Sequence, residues 1–121
     1  MYGTVIGRQA QVKVVLKIPD YPDLEIGCVI DTGFEGALTL PALVVAKLQL
    51  PYVAQINVNL ANDENFATSV HRATIVWDGE EIDVPVLAMG RRPLVGTLLL
   101  ATYSLNIDLF DGGTVAIERY S

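Results

Sequence analysis

The sequence predicts one mainly β domain with one or two short helices, and three observations carry that prediction. The 121 residues suit a single compact unit, because domains mostly hold about 100 to 150 residues. Hydrophobic residues make up 51% of the chain, enough for one sizeable core and too many for a disordered segment. Along most of the length, apolar and polar residues alternate with a period of two and turn residues recur at short intervals. Residues 1–121 therefore read as one domain, with no linker, low-complexity segment or charge block to divide it.

The elements follow in order. Val12, Val14, Leu16 and Ile18 point to one face of a strand, with Lys13 and Lys17 on the other. Pro19-Asp20-Tyr21-Pro22-Asp23 then turns the chain into an apolar strand over 24–30, giving an N-terminal hairpin. Pro41 suits the first turn of a helix, where its missing N–H costs nothing, and residues 42–49 are rich in helix formers until Leu50-Pro51 stops them. Ile56, Val58 and Leu60 alternate with Asn57 and Asn59. After the polar stretch Asn62, Asp63, Glu64 and Asn65, an extended run over 66–77 completes a second, longer hairpin. Asp78-Gly79 is a tight-turn signal, since both residues tolerate positive φ, and it leads into a strand with Ile82, Val84 and Val86 on one face. Thr97 is expected to N-cap a short helix over 98–102. The chain closes with Leu105, Ile107 and Leu109, a turn at Asp111-Gly112-Gly113, and Val115 and Ile117, again alternating. There is a weak internal echo: an apolar strand, a glycine-bearing loop and a short helix occur around Asp31 and again around Gly96, each after a hairpin.

Charge and cysteine usage exclude several classes. Fourteen acidic against eight basic groups give a net charge of −6, so nucleic-acid phosphate is repelled and no nucleic-acid partner is expected. Cys28 is the single cysteine; it forms no internal disulfide, and no metal-ligand spacing is present, so a cytoplasmic protein without metal or cofactor is expected. The N-terminus lacks the basic start and apolar run of a signal peptide. The uncharged stretch 94–107 falls short of the roughly 20 residues that span a bilayer and is interrupted by polar residues, so it reads as core and no membrane partner is expected.

Asp31-Thr32-Gly33 stands out as a candidate for chemistry. An ionisable group at the end of an apolar strand is costly to bury without partners, and such positions concentrate at functional sites. Taken alone, the tripeptide reads equally well as a turn. Cys28 with His71 is a weaker nucleophile–base candidate, because Cys28 lies mid-strand in an apolar run; His71 reads as a strand surface residue. Arg91-Arg92 reads as a solvated pair, Trp77 as core or interface packing, and Asp108 as a solvated strand position.

The order of hairpin, apolar strand, Asp31-Thr32-Gly33, polar hairpin at 62–65, then Leu94-Val95-Gly96 opening a short helix resembles the retropepsin-like aspartic proteases over nearly the whole chain. The bacterial predicted members are the most similar, through Asp31-Thr32-Gly33-Phe34-Glu35-Gly36, Leu38-Thr39-Leu40-Pro41 and Arg91-Arg92-Pro93-Leu94-Val95-Gly96-Thr97. The resemblance implies a closed β-barrel acid-protease fold with one lobe per subunit and an endopeptidase acting on peptide or protein substrates without a cofactor. It implies Asp31 as the catalytic residue, Thr32 and Gly33 as its loop, and Leu94, Val95 and Gly96 as the element packed beside that loop. Asn62, Asp63, Glu64 and Asn65 become the tip of a flap over the substrate.

The chain carries one such aspartate, so catalysis implies pairing Asp31 with Asp31 of a second copy in a homodimer, the two carboxyls sharing one proton. Phe34 stands where many members carry a small residue, which predicts either a narrower cleft floor or a differently packed loop. Thr97 stands where viral members often carry Arg or Asn, and the flap tip lacks a glycine. The rival reading is a retropepsin-fold dimer that has lost catalysis and binds a peptide or protein in the same cleft.

Overall fold

A computed structural model of the chain describes residues 1–59 and 62–120. The described residues form ten strands and two helices: β1 (Tyr2–Ile6), β2 (Gln9–Lys17), β3 (Leu24–Ile30), β4 (Leu38–Leu40), α1 (Ala42–Leu48), β5 (Tyr52–Asn59), β6 (Asn65–Trp77), β7 (Glu80–Ala88), β8 (Leu94–Val95), α2 (Thr97–Leu100), β9 (Tyr103–Ile107) and β10 (Thr114–Arg119). Leu60, expected as the last inward residue of the β5 run, lies outside the described residues.

The strands pair in the order β5-β6-β7-β4-β8-β3-β2-β1-β10-β9, and β6 also pairs with β2. That extra pairing, Val15 to Val76 and Leu16 to Ile75, closes β2, β3, β8, β4, β7 and β6 into a barrel. Closure comes from the length of β6. On one edge it pairs with β7 from Val70 to Trp77, while its other edge serves β5 first and β2 afterwards. Its first residues run past the end of β7, so the β5–β6 hairpin projects from the barrel.

Alternation decides what the barrel buries. Ala10, Val12, Val14 and Leu16 of β2, Ala73, Ile75 and Trp77 of β6, and Val84 and Val86 of β7 all face the core. Each Val, Leu or Ile so buried contributes about 1.5–3 kcal/mol. Two expected tight turns form: Asp78 and Gly79 both have positive φ between Trp77 and Glu80, and Asp111-Gly112-Gly113 joins β9 to β10. Asp111 also accepts the Gly7 N–H at 3.1 Å, tying this turn to the β1–β2 hairpin.

Several sequence expectations are corrected. Leu109 does not alternate inward; β9 ends at Ile107, and Leu109 is 71% exposed in the following loop. Asp108 is exposed as expected, but it lies in that loop and not on a strand. Thr97 does not cap α2; it is the first helical residue, Gly96 takes the N-cap position, and there is no side-chain cap. The echo between the halves takes the form of two parallel pairs, β3 with β8 and β4 with β7, in a barrel otherwise joined by antiparallel ladders.

Candidate active site

Asp31 directly follows β3, half-buried, where the strand runs parallel to β8. Its backbone N–H donates to the Val95 carbonyl at 2.9 Å, which fixes the residue against β8. Its carboxylate Oδ1 accepts the Gly33 N–H at 2.9 Å, and its carbonyl accepts the Phe34 N–H at 3.1 Å, so the loop folds back on the acid. Asp, with a short acceptor side chain, favours this local turn.

The β8–α2 segment holds the rest of the loop. Phe34 O accepts the Thr97 N–H at 2.8 Å and its hydroxyl at 3.3 Å, Gly36 O accepts the Leu98 N–H at 3.2 Å, and Ala37 O accepts the Gly96 N–H at 3.0 Å. Behind these, the buried Thr39 hydroxyl accepts the Leu94 N–H at 3.1 Å. Gly96 makes the contact possible. A Cβ built on it would lie 2.2 Å from Gly36 O and 2.6 Å from Phe34 O. The Phe34 ring lies across the same place, 2.5 Å from the Cβ position of Gly96 and of Gly36. A bulky residue thus fits this loop because two glycines make room for its ring.

A cleft of about 620 Å³ opens beside the loop. Gly33, Phe34, Glu35 and Gly36 form one side; Ile56, Asn57, Val58 and Asn59 of the projecting hairpin face them, with Leu87 of β7. Of the residues singled out in the sequence, the structure therefore brings Asp31, Gly33, Phe34, Leu94, Val95 and Gly96 into one neighbourhood. Thr32 is exposed on the loop, and its hydroxyl makes no hydrogen bond among the described residues. Asn62, Asp63, Glu64 and Asn65 are exposed at the end of the hairpin, where Asn62 Oδ1 accepts the Glu64 N–H at 3.2 Å and Asp63 has φ 64°. They do not line the cleft. The hairpin's side of the cleft comes from β5, whose Ile56 and Val58 gave a strand signal in the sequence but no functional one.

The alternative nucleophile is not assembled. His71 is tied up on β6, with Nδ1 3.0 Å from Leu50 O and Nε2 2.9 Å from Ser69 Oγ. Cys28 is fully buried, and burial pushes its thiol up from the ordinary 9.0 to about 12. Between those two values the unfolded chain binds fewer protons than the folded one, so stability falls as pH rises above about 9 and is untouched by Cys28 below it. Iodoacetamide at pH 8 is expected to leave the native thiol unmodified by mass and to label the denatured chain fully; equal rates would put Cys28 outside the core. Trp77 is core, 4% exposed and edge-on to Tyr103. Arg92 contacts Gln9, away from the cleft.

The barrel, the aspartate loop packed against a hydrophobic-hydrophobic-glycine strand and the projecting hairpin together define a retropepsin-like fold. Solved structures share it. EIAV protease complexed with the inhibitor HBY-793 is 16% identical with a TM-score of 0.58, over 78% of this chain and 88% of that one. A retropepsin-like aspartic protease from Rickettsia conorii is 15% identical with a TM-score of 0.53, over 99% of this chain and 90% of that one. No family model and no curated protein sequence matches the chain.

Proposed function

We propose that the protein is an aspartic endopeptidase that works as a homodimer, with Asp31 of each subunit forming one dyad. The observation that carries this reading is the placement of Asp31, half-buried just after β3, with one carboxylate oxygen held by the N–H of Gly33, which itself lines the cleft. A single acid cannot serve as base and acid at once. Two copies meeting at a twofold axis give two carboxyls that cannot both ionise and so share one proton. The ionised member takes a proton from a water whose oxygen attacks the peptide carbonyl carbon. The protonated member hydrogen-bonds the carbonyl oxygen as charge builds there. The C–N bond then breaks as the departing nitrogen takes a proton from the dyad, leaving a carboxylic acid and an amine. The chemistry consumes only water and needs no cofactor.

The neighbours take roles consistent with their geometry. The Thr32 hydroxyl, exposed and without a hydrogen bond among the described residues, bonds the partner's loop. The β5–β6 hairpin closes over a bound peptide and excludes water, with Asn62, Asp63, Glu64 and Asn65 as its tip. The fold shared with a protease solved in complex with an inhibitor supports the peptidase reading.

The test is incubation with a diverse peptide library from about pH 3 to 7, the range over which carboxyl dyads titrate, beside Asp31→Asn and with a transition-state-mimicking inhibitor. Cleavage by the wild type that both the variant and the inhibitor suppress is expected. Binding of peptides without cleavage at any pH would favour the non-catalytic binding module instead.

A further inference from the structure

We propose that Glu35 makes this cleft selective for peptides that carry a lysine or arginine close to the apolar residues at the cut; the proposal rests on the reading of the cleft as a peptide site. Glu35 is the one charged residue among the described residues lining the cleft, whose other walls are glycines, two asparagines and the apolar Phe34, Ile56, Val58 and Leu87. It is exposed and makes no ion pair among the described residues. Four of the eight basic side chains are engaged elsewhere: Lys13 with Glu25, Lys17 with Asp23, Arg119 with Asp78, and Arg92 with Gln9. No lysine or arginine lines the cleft, so among the described residues nothing compensates the carboxylate there.

An uncompensated carboxylate in open water attracts cations weakly. Under a closed hairpin the water is displaced, the effective dielectric falls and the same attraction strengthens. A basic side chain in the peptide then supplies the missing partner. An acidic one meets like charge and loses its hydration, so discrimination comes as much from rejecting acidic peptides as from holding basic ones. Asp63 and Glu64 at the exposed end of the hairpin add potential of the same sign. The apolar walls take the flanking apolar side chains. Because the Phe34 ring occupies the space against Gly36 and Gly96, the residue above it is expected to be small or unbranched.

The test is a set of apolar peptides in which Lys, Gln or Glu is placed in turn at each of the residues flanking the cut. Cleavage by the wild type is measured at low salt, and binding to Asp31→Asn is measured by fluorescence anisotropy. At one or more positions Lys is expected to exceed Glu about three- to tenfold. Glu35→Gln should level that preference and Glu35→Lys should invert it. Cleavage with no positional charge preference, or with the preference intact in Glu35→Gln, would overturn the assignment and leave the peptidase reading standing. Lys-selective, Glu35-dependent binding without cleavage would sink the peptidase reading and keep the assignment. If peptides are neither cut nor bound, both fall.

Discussion

Replacing Asp31 with Asn is expected to reduce peptide cleavage to below roughly one part in 10⁴, because the same residue supplies the general base from one subunit and the general acid from the other. The fold should survive, since Asn keeps the side-chain oxygen that accepts the Gly33 N–H. An unchanged melting temperature with abolished cleavage is the predicted pair of results. Cleavage at more than a few per cent of the wild-type rate would remove Asp31 from the mechanism.

The same variant tests the shared dyad more sharply when it is mixed with wild type. If active sites form only between two copies, a heterodimer holds one Asp31 and is inactive. Random exchange at equal amounts then leaves about one quarter of the dimers with both acids, which halves the activity of a fixed amount of wild type. A tenfold excess of the variant lowers it to about a tenth. A chain working alone would lose nothing at any ratio, and that outcome would exclude the dyad while leaving the fold untouched.

How far these features could be read in the sequence depended on how local their causes are. β2 and the β6–β7 hairpin show themselves because alternation and an Asp-Gly turn act over neighbouring residues. Leu38–Leu40 and Leu94–Val95 are too short to display any period. They become strands through partners far along the chain, such as the Thr39 hydroxyl that receives the Leu94 N–H across 55 positions. Thr97 carries a cap signal for the residues just after it, yet its hydroxyl goes to Phe34 O, 63 positions away. Leu109 fits the alternating pattern by type alone, and the turn that takes the chain out of β9 comes first. The cleft follows the same rule. Asp31-Thr32-Gly33 is contiguous and legible, whereas the walls come from three separate segments, so Glu35, Asn57 and Leu87 acquire their places only when the barrel closes.

Gly96→Ala is the substitution expected to damage the fold most at the site. The new methyl would sit 2.2 Å from Gly36 O and 2.6 Å from Phe34 O, and both are backbone atoms that no rotamer change can clear. Relief requires the start of α2 to part from the aspartate loop. That strains the Thr97 N–H bond to Phe34 O and the Gly96 N–H bond to Ala37 O, which hold the loop to β8 and α2. Overpacking of this kind costs about 3 kcal/mol, which for a chain of this size lowers Tm by roughly 10 °C. Activity should fall further than folded fraction, because the segment displaced is the one that positions Asp31. Gly79→Ala provides the contrast. Its φ of 81° disfavours a side chain, but nothing lies within 4 Å of the new methyl. A loss of about 1 kcal/mol is expected there, with kcat per folded molecule unchanged. Thermal unfolding and single-temperature kinetics on both variants check the pair. If Gly96→Ala melts with the wild type, the close packing of β8 on the aspartate loop does not hold the site together.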